Sequence, residues 1–219
     1  KKGQTIAVIG STGSGKSTLI NLIPRYYDVT KGSVKVDGVD VRDMTQKELR
    51  DKLGYVPQKG VLFSGTIDSN IRYGKPEITD AQVKEAAEVA QATEFIDTKP
   101  EKYESPVSQG GTNVSGGQKQ RLSIARAIAK DPEIFIFDDS FSALDFKTDS
   151  QLRKALKEYT KDATTVIVAQ RISTILGADQ IIVLDDGHMA GIGTHKELMA
   201  NCEVYQQIAR SQLSEEELA

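Results

Sequence analysis

The chain has 219 residues, of which 38% are hydrophobic and 27% charged, and its net charge is −3. This length suits one substantial α/β domain with room for a subdomain, and the spread of lysine and arginine along an acidic chain argues against nucleic-acid binding. No apolar run approaches the roughly 18 residues of a membrane-spanning helix, so we expect a soluble fragment. Because the sequence starts at Lys1 without an initiator methionine, we also expect it to be part of a longer polypeptide.

The first element in chain order is a strand that leads into a glycine-rich turn. The apolar run Thr5–Ile9 predicts a buried strand, and Gly10–Ser17 behind it fits the pattern G-x-x-x-x-G-K-[ST] at every fixed position. A helix that starts near Gly15 presents backbone N–H groups and the positive end of its dipole to phosphates. We therefore predict a nucleotide site in which Lys16 reaches the β- and γ-phosphates and the Ser17 hydroxyl binds Mg²⁺. The loop residues predicted to bind ATP are Ser11, Thr12, Gly13, Ser14, Gly15, Lys16, Ser17 and Thr18.

The remaining strand and turn signals predict a mixed sheet. Three β-branched runs indicate buried strands that pair in parallel through crossovers: Ile134–Phe137, Thr165–Ala169 and Gln180–Leu184. Asp-Gly pairs indicate two antiparallel hairpins, at Asp37-Gly38 and Asp186-Gly187. Capping boxes open three helices: Thr45 with Glu48, Thr79 with Gln82, and Thr194 with Glu197.

The middle of the chain is mainly helical, with patterns over Ala81–Ala92 and Ser115–Lys130. We interpret it as a helical subdomain inserted into the nucleotide-binding core. The predicted boundaries are 1–78 for the first part of the core, 79–130 for the subdomain, and 131–219 for the second part of the core with a C-terminal helix. The acidic end, Ser214–Glu217, is expected to be a solvated tail or a frayed helix end.

A second motif, N-V-S-G-G-Q-K-Q-R from Asn113, opens the later helix of this region. Ser115 is a good N-cap, and Gln118 completes a capping box with it. Gly116 and Gly117 cost roughly 1 kcal/mol each relative to alanine in a helix, but they let an anion approach the bare N–H groups. A capped helix start that binds nothing leaves these two glycines unexplained.

Together the motifs closely resemble the nucleotide-binding domain of an ABC transporter, over essentially the full chain. Val114–Gln118 matches the family's signature motif, and Gln58 matches the Q-loop glutamine. Ile134–Asp138 matches the Walker B strand with its aspartate, Ser142–Asp145 matches the D-loop, and Leu62–Ile67 resembles the exporter branch. The resemblance implies a P-loop NTPase fold: a RecA-like α/β core with a mixed sheet, antiparallel β hairpins and an inserted helical subdomain.

The resemblance also implies a mechanism. Two such domains pair head to tail around ATP and drive attached transmembrane domains between access states, at the cytoplasmic face of the cell membrane. Ser17, Gln58 and Asp138 would hold Mg²⁺, Gln58 would also sense the γ-phosphate, and Asp145 would communicate across the dimer. The signature residues would contact the ATP that the partner domain binds: Ser115, Gly116, Gly117 and Gln118.

Three places depart from the family pattern. Asp139 stands where a glutamate usually polarises the attacking water, and its carboxylate is shorter by about 1.5 Å. Gln170 replaces the switch histidine; it can donate a hydrogen bond to the γ-phosphate but cannot be protonated at neutral pH. The segment Val107–Gly111 lacks a glutamate that exporters usually carry. Since the ATP-binding residues are intact, we expect ATP binding with slow or absent hydrolysis, as in the degenerate half of a heterodimeric exporter whose second nucleotide-binding domain is a different chain.

Other interpretations stay open. One is a homodimeric exporter domain with weak activity that uses Asp139 as the base. Another is a soluble ABC-type protein of DNA repair or translation, which the compact helical insert, the exporter-like Leu62–Ile67 and the acidic charge disfavour. A third is an ATP-gated interaction module without enzymatic turnover, which overlaps with the degenerate-site hypothesis.

Overall fold

Residues 1–214 are described by the computed structural model, and within them lie ten strands and nine α-helices. The strands are β1 (Thr5–Gly10), β2 (Lys35–Val36), β3 (Val39–Asp40), β4 (Leu53–Val56), β5 (Gly65–Thr66), β6 (Pro106–Val107), β7 (Ile134–Asp138), β8 (Thr164–Val168), β9 (Gln180–Asp185) and β10 (His188–Gly193). The helices are α1 (Lys16–Asn21), α2 (Gln46–Asp51), α3 (Ile67–Ile71), α4 (Asp80–Val89), α5 (Thr93–Asp97), α6 (Gly116–Ala129), α7 (Phe146–Tyr159), α8 (His195–Asn201) and α9 (Glu203–Gln212). Apart from Ser214, the acidic end lies outside the described residues.

The main sheet has six strands in the order β10-β9-β1-β8-β7-β4, and it is mixed, as predicted. Strand β1 pairs in parallel with both β8 and β9, so that Ala7 lies opposite Ile167 on one side and Ile181 on the other. Strand β10 returns antiparallel to β9 through the predicted turn at Asp186-Gly187. Consecutive residues of β1 are buried because a central parallel strand is covered on both faces.

The chain separates into two units. The first contains Lys1–Leu53, Ile136–Asp139 and the residues from Ala163 onward; the second contains Gly54–Phe135 and Ser140–Asp162. The predicted boundaries at 1–78, 79–130 and 131–219 stay a prediction. Among residues 1–214, no helix has the length and apolar character to cross a membrane.

One apolar cluster of the first unit joins strands β1 and β9 to the two C-terminal helices. Its buried members are Ala7, Ile9, Ala169, Ile172, Ile175, Ala178, Ile181, Val183, Leu198, Cys202, Tyr205 and Ala209. Residues 205 and 209 of α9 share one helix face, since side chains four apart lie one above the other. The cluster therefore supports the strand that enters the glycine-rich loop and the segment on both sides of residue 170.

Helix α6 is the centre of the second unit, and most of its length is buried. Arg126, near its C-terminal end, donates hydrogen bonds to the carbonyls of Asn70 and Val61, each at 2.8 Å, and to Asn70 Oδ1 at 2.9 Å. Its guanidinium also lies over the stacked rings of Phe63 and Tyr73. Burial lowers the pKa of Arg126 to about 10, so this side chain remains a cation at neutral pH. One arginine thus fixes the segment from residue 61 to residue 73 onto α6.

The local sequence signals for strands and helices were confirmed, with small shifts of the ends. All four capping boxes form, those of Thr45, Thr79, Thr194 and Ser115. The hairpin at Asp37-Gly38 is shorter than expected, because only two residues pair on each side. The short strands β4, β5 and β6 and a capping box at Thr66 were missed, since two- to four-residue strands carry too little periodicity to read.

Candidate nucleotide-binding site

The glycine-rich loop turns sharply between β1 and α1. Gly13 and Gly15 have φ of +83° and +99°, in the left-handed region that L side chains rarely adopt. Gly15 is the N-cap of α1 and provides no side-chain cap, and the first turn of α1 contains no acidic residue. The first N–H groups of a helix have no intrahelical acceptor, so this helix start is suited to an anion.

The loop rests on the hairpin between β9 and β10. The N–H of Gly187 donates to the carbonyl of Ser14 at 3.2 Å, and within the loop the Ser14 N–H donates to the Ser11 carbonyl at 3.1 Å. A Cβ on Gly10 would come within 2.2 Å of the Leu184 carbonyl oxygen. The loop backbone is therefore held in shape from a distant part of the sequence.

Lys16 folds back over the loop. Its Nζ donates to the carbonyls of Gly10 and Ser11, each at 2.8 Å. Burial lowers the pKa of Lys16, while the negative charges of Asp139 and Asp138 raise it and partly oppose this effect. An ammonium group has three donors, of which these bonds use two. Lys16 is thus fixed beside the loop as a cation suited to phosphate.

Ser17 and Asp138 bring two hard oxygen donors together. The Ser17 hydroxyl donates to Asp138 Oδ1 at 3.0 Å, and Asp138 is buried at the end of β7. Hydroxyl and carboxylate oxygens are the protein ligands that Mg²⁺ prefers, together with water and phosphate. This donor set fits the predicted magnesium site.

Asp139 and Gln170 contact each other directly. The Gln170 carboxamide donates through Nε2 to Asp139 Oδ2 at 2.7 Å. Asp139 has φ of +47°, a left-handed conformation that aspartate tolerates better than most residues, and its N–H donates to the Val168 carbonyl at 3.0 Å. The backbone of β8 therefore fixes where the Asp139 side chain starts, and Gln170 occupies one of its two oxygens.

In the second unit, the segment around Gln58 is attached to α6 by one buried side chain. Gln120 is 1% exposed, accepts from the Gly60 N–H at 2.8 Å through Oε1, and donates through Nε2 to the Pro57 carbonyl at 3.1 Å. A Cβ on Gly60 would lie 2.8 Å from the Lys119 carbonyl oxygen. The backbone on both sides of the exposed Gln58 is thus held against α6.

The start of α6 has the predicted capping box. Ser115 Oγ accepts from the Gln118 N–H at 3.2 Å, and Gln118 Oε1 accepts from the Ser115 N–H at 3.1 Å. A Cβ on Gly116 would meet nothing within 4 Å, and on Gly117 it would make only ordinary contact, 3.5 Å from the Ala143 carbonyl. Packing within residues 1–214 therefore requires neither glycine.

Comparison with known proteins decides the family. The pattern of the family described as "ABC transporter" matches residues 1–142. The chain belongs to the ABC transporter family. An uncharacterized ABC transporter ATP-binding protein of Mycobacterium tuberculosis is 49% identical over 215 residues, which cover 97% of this chain and 37% of that protein. A Staphylococcus aureus protein whose name describes a multidrug export ATP-binding/permease protein is 48% identical over 208 residues, covering 95% of this chain and 36% of that protein.

A solved structure supports the same assignment. The structure of a bacterial Atm1-family ABC exporter with ATP bound matches this ABC chain with a TM-score of 0.93 and 39% identity, over 97% of this chain and 38% of that one. This match confirms the predicted P-loop α/β fold. The chain spans little more than a third of the length of these relatives.

The first unit of this ABC domain brings together Lys16, Ser17, Asp138, Asp139 and Gln170. The second unit contains Gln58, the signature residues and Asp145. Their placement in an ATP site stays a prediction.

Asp145, the D-loop aspartate by resemblance, has a local role of its own. It is the N-cap of α7 and accepts from the Thr148 N–H at 3.0 Å. The hydrogen bonds from Thr148 lower the pKa of the Asp145 carboxyl. Its presence in the sequence is therefore explained by the helix cap alone, and its role across a dimer stays a prediction.

The segment that lacks the exporters' glutamate pairs with the exporter-like segment before α3. Val107 lies opposite Gly65 in a short antiparallel ladder, and the Gly110 N–H donates to the Leu62 carbonyl at 3.1 Å. Gln109 is exposed beside these contacts. Sequence reasoning found both segments but not their pairing, because strands of two residues leave no pattern.

Three residues that support the site were missed: Gly187, Gln120 and Gln212, which bonds to the backbone of residues 170 and 172. Each acts on backbone far away in sequence, so local patterns could not reveal them. The sequence did offer a signal at position 120, where a glutamine interrupts a helix face that is otherwise mostly apolar.

Proposed function

We propose that this chain is the ATP-binding domain of an ABC exporter, and that its own site binds Mg-ATP and hydrolyses it slowly or not at all. The observation that carries the proposal is the 2.7 Å hydrogen bond from the Gln170 carboxamide to Asp139, beside an intact phosphate loop. The names of the relatives support export, and the rest of the transporter would be the length that this chain does not span.

The binding half of the site has every group that the phosphates require. The loop N–H groups and the start of α1 would hold the phosphate oxygens, and Lys16 would add a charge-assisted hydrogen bond. Ser17 and Asp138 would hold Mg²⁺, and the bound ion would neutralise part of the phosphate charge.

The hydrolytic half lacks an effective base. A general base must accept a proton from water, and one oxygen of Asp139 already accepts from Gln170. The carboxamide cannot be protonated at neutral pH, so it supplies no second base. Asp139 is also one methylene shorter than glutamate, and a misplacement of about 1 Å costs roughly a hundredfold in rate. General-base catalysis as a whole accelerates a reaction about 10²- to 10⁴-fold, so we expect hydrolysis at this site to be slower by up to this factor.

The signature helix is intact and would serve a partner. Head-to-tail pairing would place Ser115 to Gln118 against ATP held by a second nucleotide-binding domain, a different chain that supplies the missing glutamate and histidine. The domain would sit at the cytoplasmic face of the cell membrane, next to its transmembrane domains. The unexplained glycines Gly116 and Gly117 support this reading, because they leave the helix start open to a phosphate.

The test is single-turnover hydrolysis of ATP bound to this chain in the assembled full-length transporter. The double variant D139E/Q170H should raise the rate at this site by about 10²-fold or more, since it restores the longer base and an ionisable partner. The matched control adds D138N, which should remove the gain by removing the magnesium ligand. Ordinary turnover in the unmodified chain that D139N abolishes would favour the homodimeric reading with Asp139 as the base.

A further inference from the structure

The last helix of the described chain, α9, contacts the switch segment, by which we mean residues 169–172 around Gln170. The Gln212 carboxamide donates through Nε2 to the Gln170 carbonyl at 2.8 Å, and its Oε1 accepts from the Ile172 N–H at 2.8 Å. One side chain therefore bridges the backbone on both sides of Arg171. Two hydrogen bonds from one planar group fix both the distance and the orientation of the segment.

Helix α9 also packs against the switch segment through apolar side chains. Tyr205 and Ala209 are fully buried in the cluster that also contains Ala169 and Ile172, the two ends of the switch segment. Residues 205, 209 and 212 follow the i, i+4, i+7 spacing of one helix face. The bridge at residue 212 is thus an extension of the apolar contact between α9 and the switch segment.

We propose that Gln212 is a positioning residue for Gln170: it fixes the backbone from which the Gln170 carboxamide extends beside Asp139. Gln170 is exposed and, without this bridge, its long side chain would start from a mobile segment. The inference rests on the proposed function, that of a site that binds ATP, and on the hydrogen bond that the sequence predicts from Gln170 to the γ-phosphate. The C-terminal helix thereby sets how well this site distinguishes ATP from ADP.

The experiment uses the full-length transporter and measures photolabelling of this chain by 8-azido-ATP and 8-azido-ADP. Q212A should weaken binding of the ATP probe about three- to tenfold, the range for loss of positioned hydrogen bonds, and leave the ADP probe unchanged. Q212E keeps the acceptor for Ile172 but removes the donor to Gln170, and should act in the same direction. Q207A is the matched control: this residue lies on the same helix, and its carboxamide donates to Glu203 of that helix at 3.4 Å. Q207A should leave the binding of both probes unchanged.

Two further measurements separate the inference from the function on which it rests. Hydrogen exchange of the peptide spanning residues 170–172 should speed up in Q212A and not in Q207A; unchanged exchange would overturn the inference whatever the site does. In a Q170A background, Q212A should add no further loss, because it acts through Gln170. If Q170A weakens labelling by the ATP probe and Q212A does not, the inference about Gln212 is wrong, but the proposed function is unaffected. If Q170A itself has no effect on the ATP probe, the predicted contact of Gln170 with the γ-phosphate is wrong, and so is the effect on ATP binding inferred for Gln212.

Discussion

Replacing Gln120 should loosen the segment that carries the Q-loop glutamine. The variant Q120L keeps the volume of a 1% exposed side chain but removes both of its hydrogen bonds, to Pro57 and to Gly60. Each bond contributes about 0.5–1.5 kcal/mol, and the partly buried backbone groups are left unpaired, so we expect a loss of about 2–3 kcal/mol in the free energy of unfolding. Urea denaturation of the purified domain measures it directly.

The variant Q120E makes the prediction sharper, because its effect depends on pH. A carboxylate still accepts from the Gly60 N–H but cannot donate to the Pro57 carbonyl, whereas the protonated form can do both. Burial should raise the pKa of the introduced carboxyl above the value of about 4.3 in the unfolded chain. The folded state then binds more protons, so stability should fall as the pH rises from about 4.3 through the raised pKa.

Gln151 provides the control, since it is exposed on α7. Q151L and Q151E should change stability by less than about 0.5 kcal/mol, as is usual at exposed positions. Equal stability of Q120L and the unmodified domain would refute the reasoning. So would a Q120E variant that is no less stable at pH 8 than at pH 5, relative to the unmodified domain.

Three other substitutions test separate parts of the account. K16A should weaken Mg-ATP binding about 10- to 100-fold in an equilibrium titration, because it removes a charged donor to phosphate. S115R in the assembled transporter should abolish hydrolysis at the partner's site and spare ATP binding at Lys16. R126M removes the Arg126 donors to the carbonyls of Asn70 and Val61, whereas Asn70 Oδ1 keeps the Phe63 N–H as a donor. This variant should cost about 3 kcal/mol and lower the melting temperature by about 6–12 °C in calorimetry.

Each of these predictions has a result that contradicts it. Unchanged ATP affinity in K16A would mean that the loop carbonyls, and not phosphate, are the partners that matter to Lys16. Hydrolysis that survives S115R would overturn head-to-tail pairing. A melting temperature within about 2 °C of the unmodified domain would show that R126M lets water or repacking satisfy the carbonyls of Asn70 and Val61.

The elements that the sequence predicted share one property, a pattern within a few neighbouring residues. The β-branched run of β1, the turn at Asp186-Gly187 and the capping box of Ser115 are each fixed by local chemistry, and all three form. The phosphate loop belongs here too, because its glycines and its helix start are encoded within Gly10–Ser17.

What the sequence could not predict depends on contacts between distant residues. The 2.7 Å bond between Gln170 and Asp139 joins two strand ends that are 31 positions apart, and Gln212 reaches the switch segment from 42 positions away. The departures at 139 and 170 were visible as two separate substitutions. Only the structure shows that they form one hydrogen-bonded pair, in which one Asp139 oxygen accepts from the Gln170 carboxamide.

The most direct test of the central claim is the identity of the nucleotide recovered from this chain. The full-length transporter is incubated with radiolabelled Mg-ATP through many turnovers of the partner's site, and the nucleotide bound to this chain is then isolated. If Gln170 and Asp139 hold the site as described, ATP should be recovered intact. Recovery of ADP in proportion to the overall turnover would contradict the account.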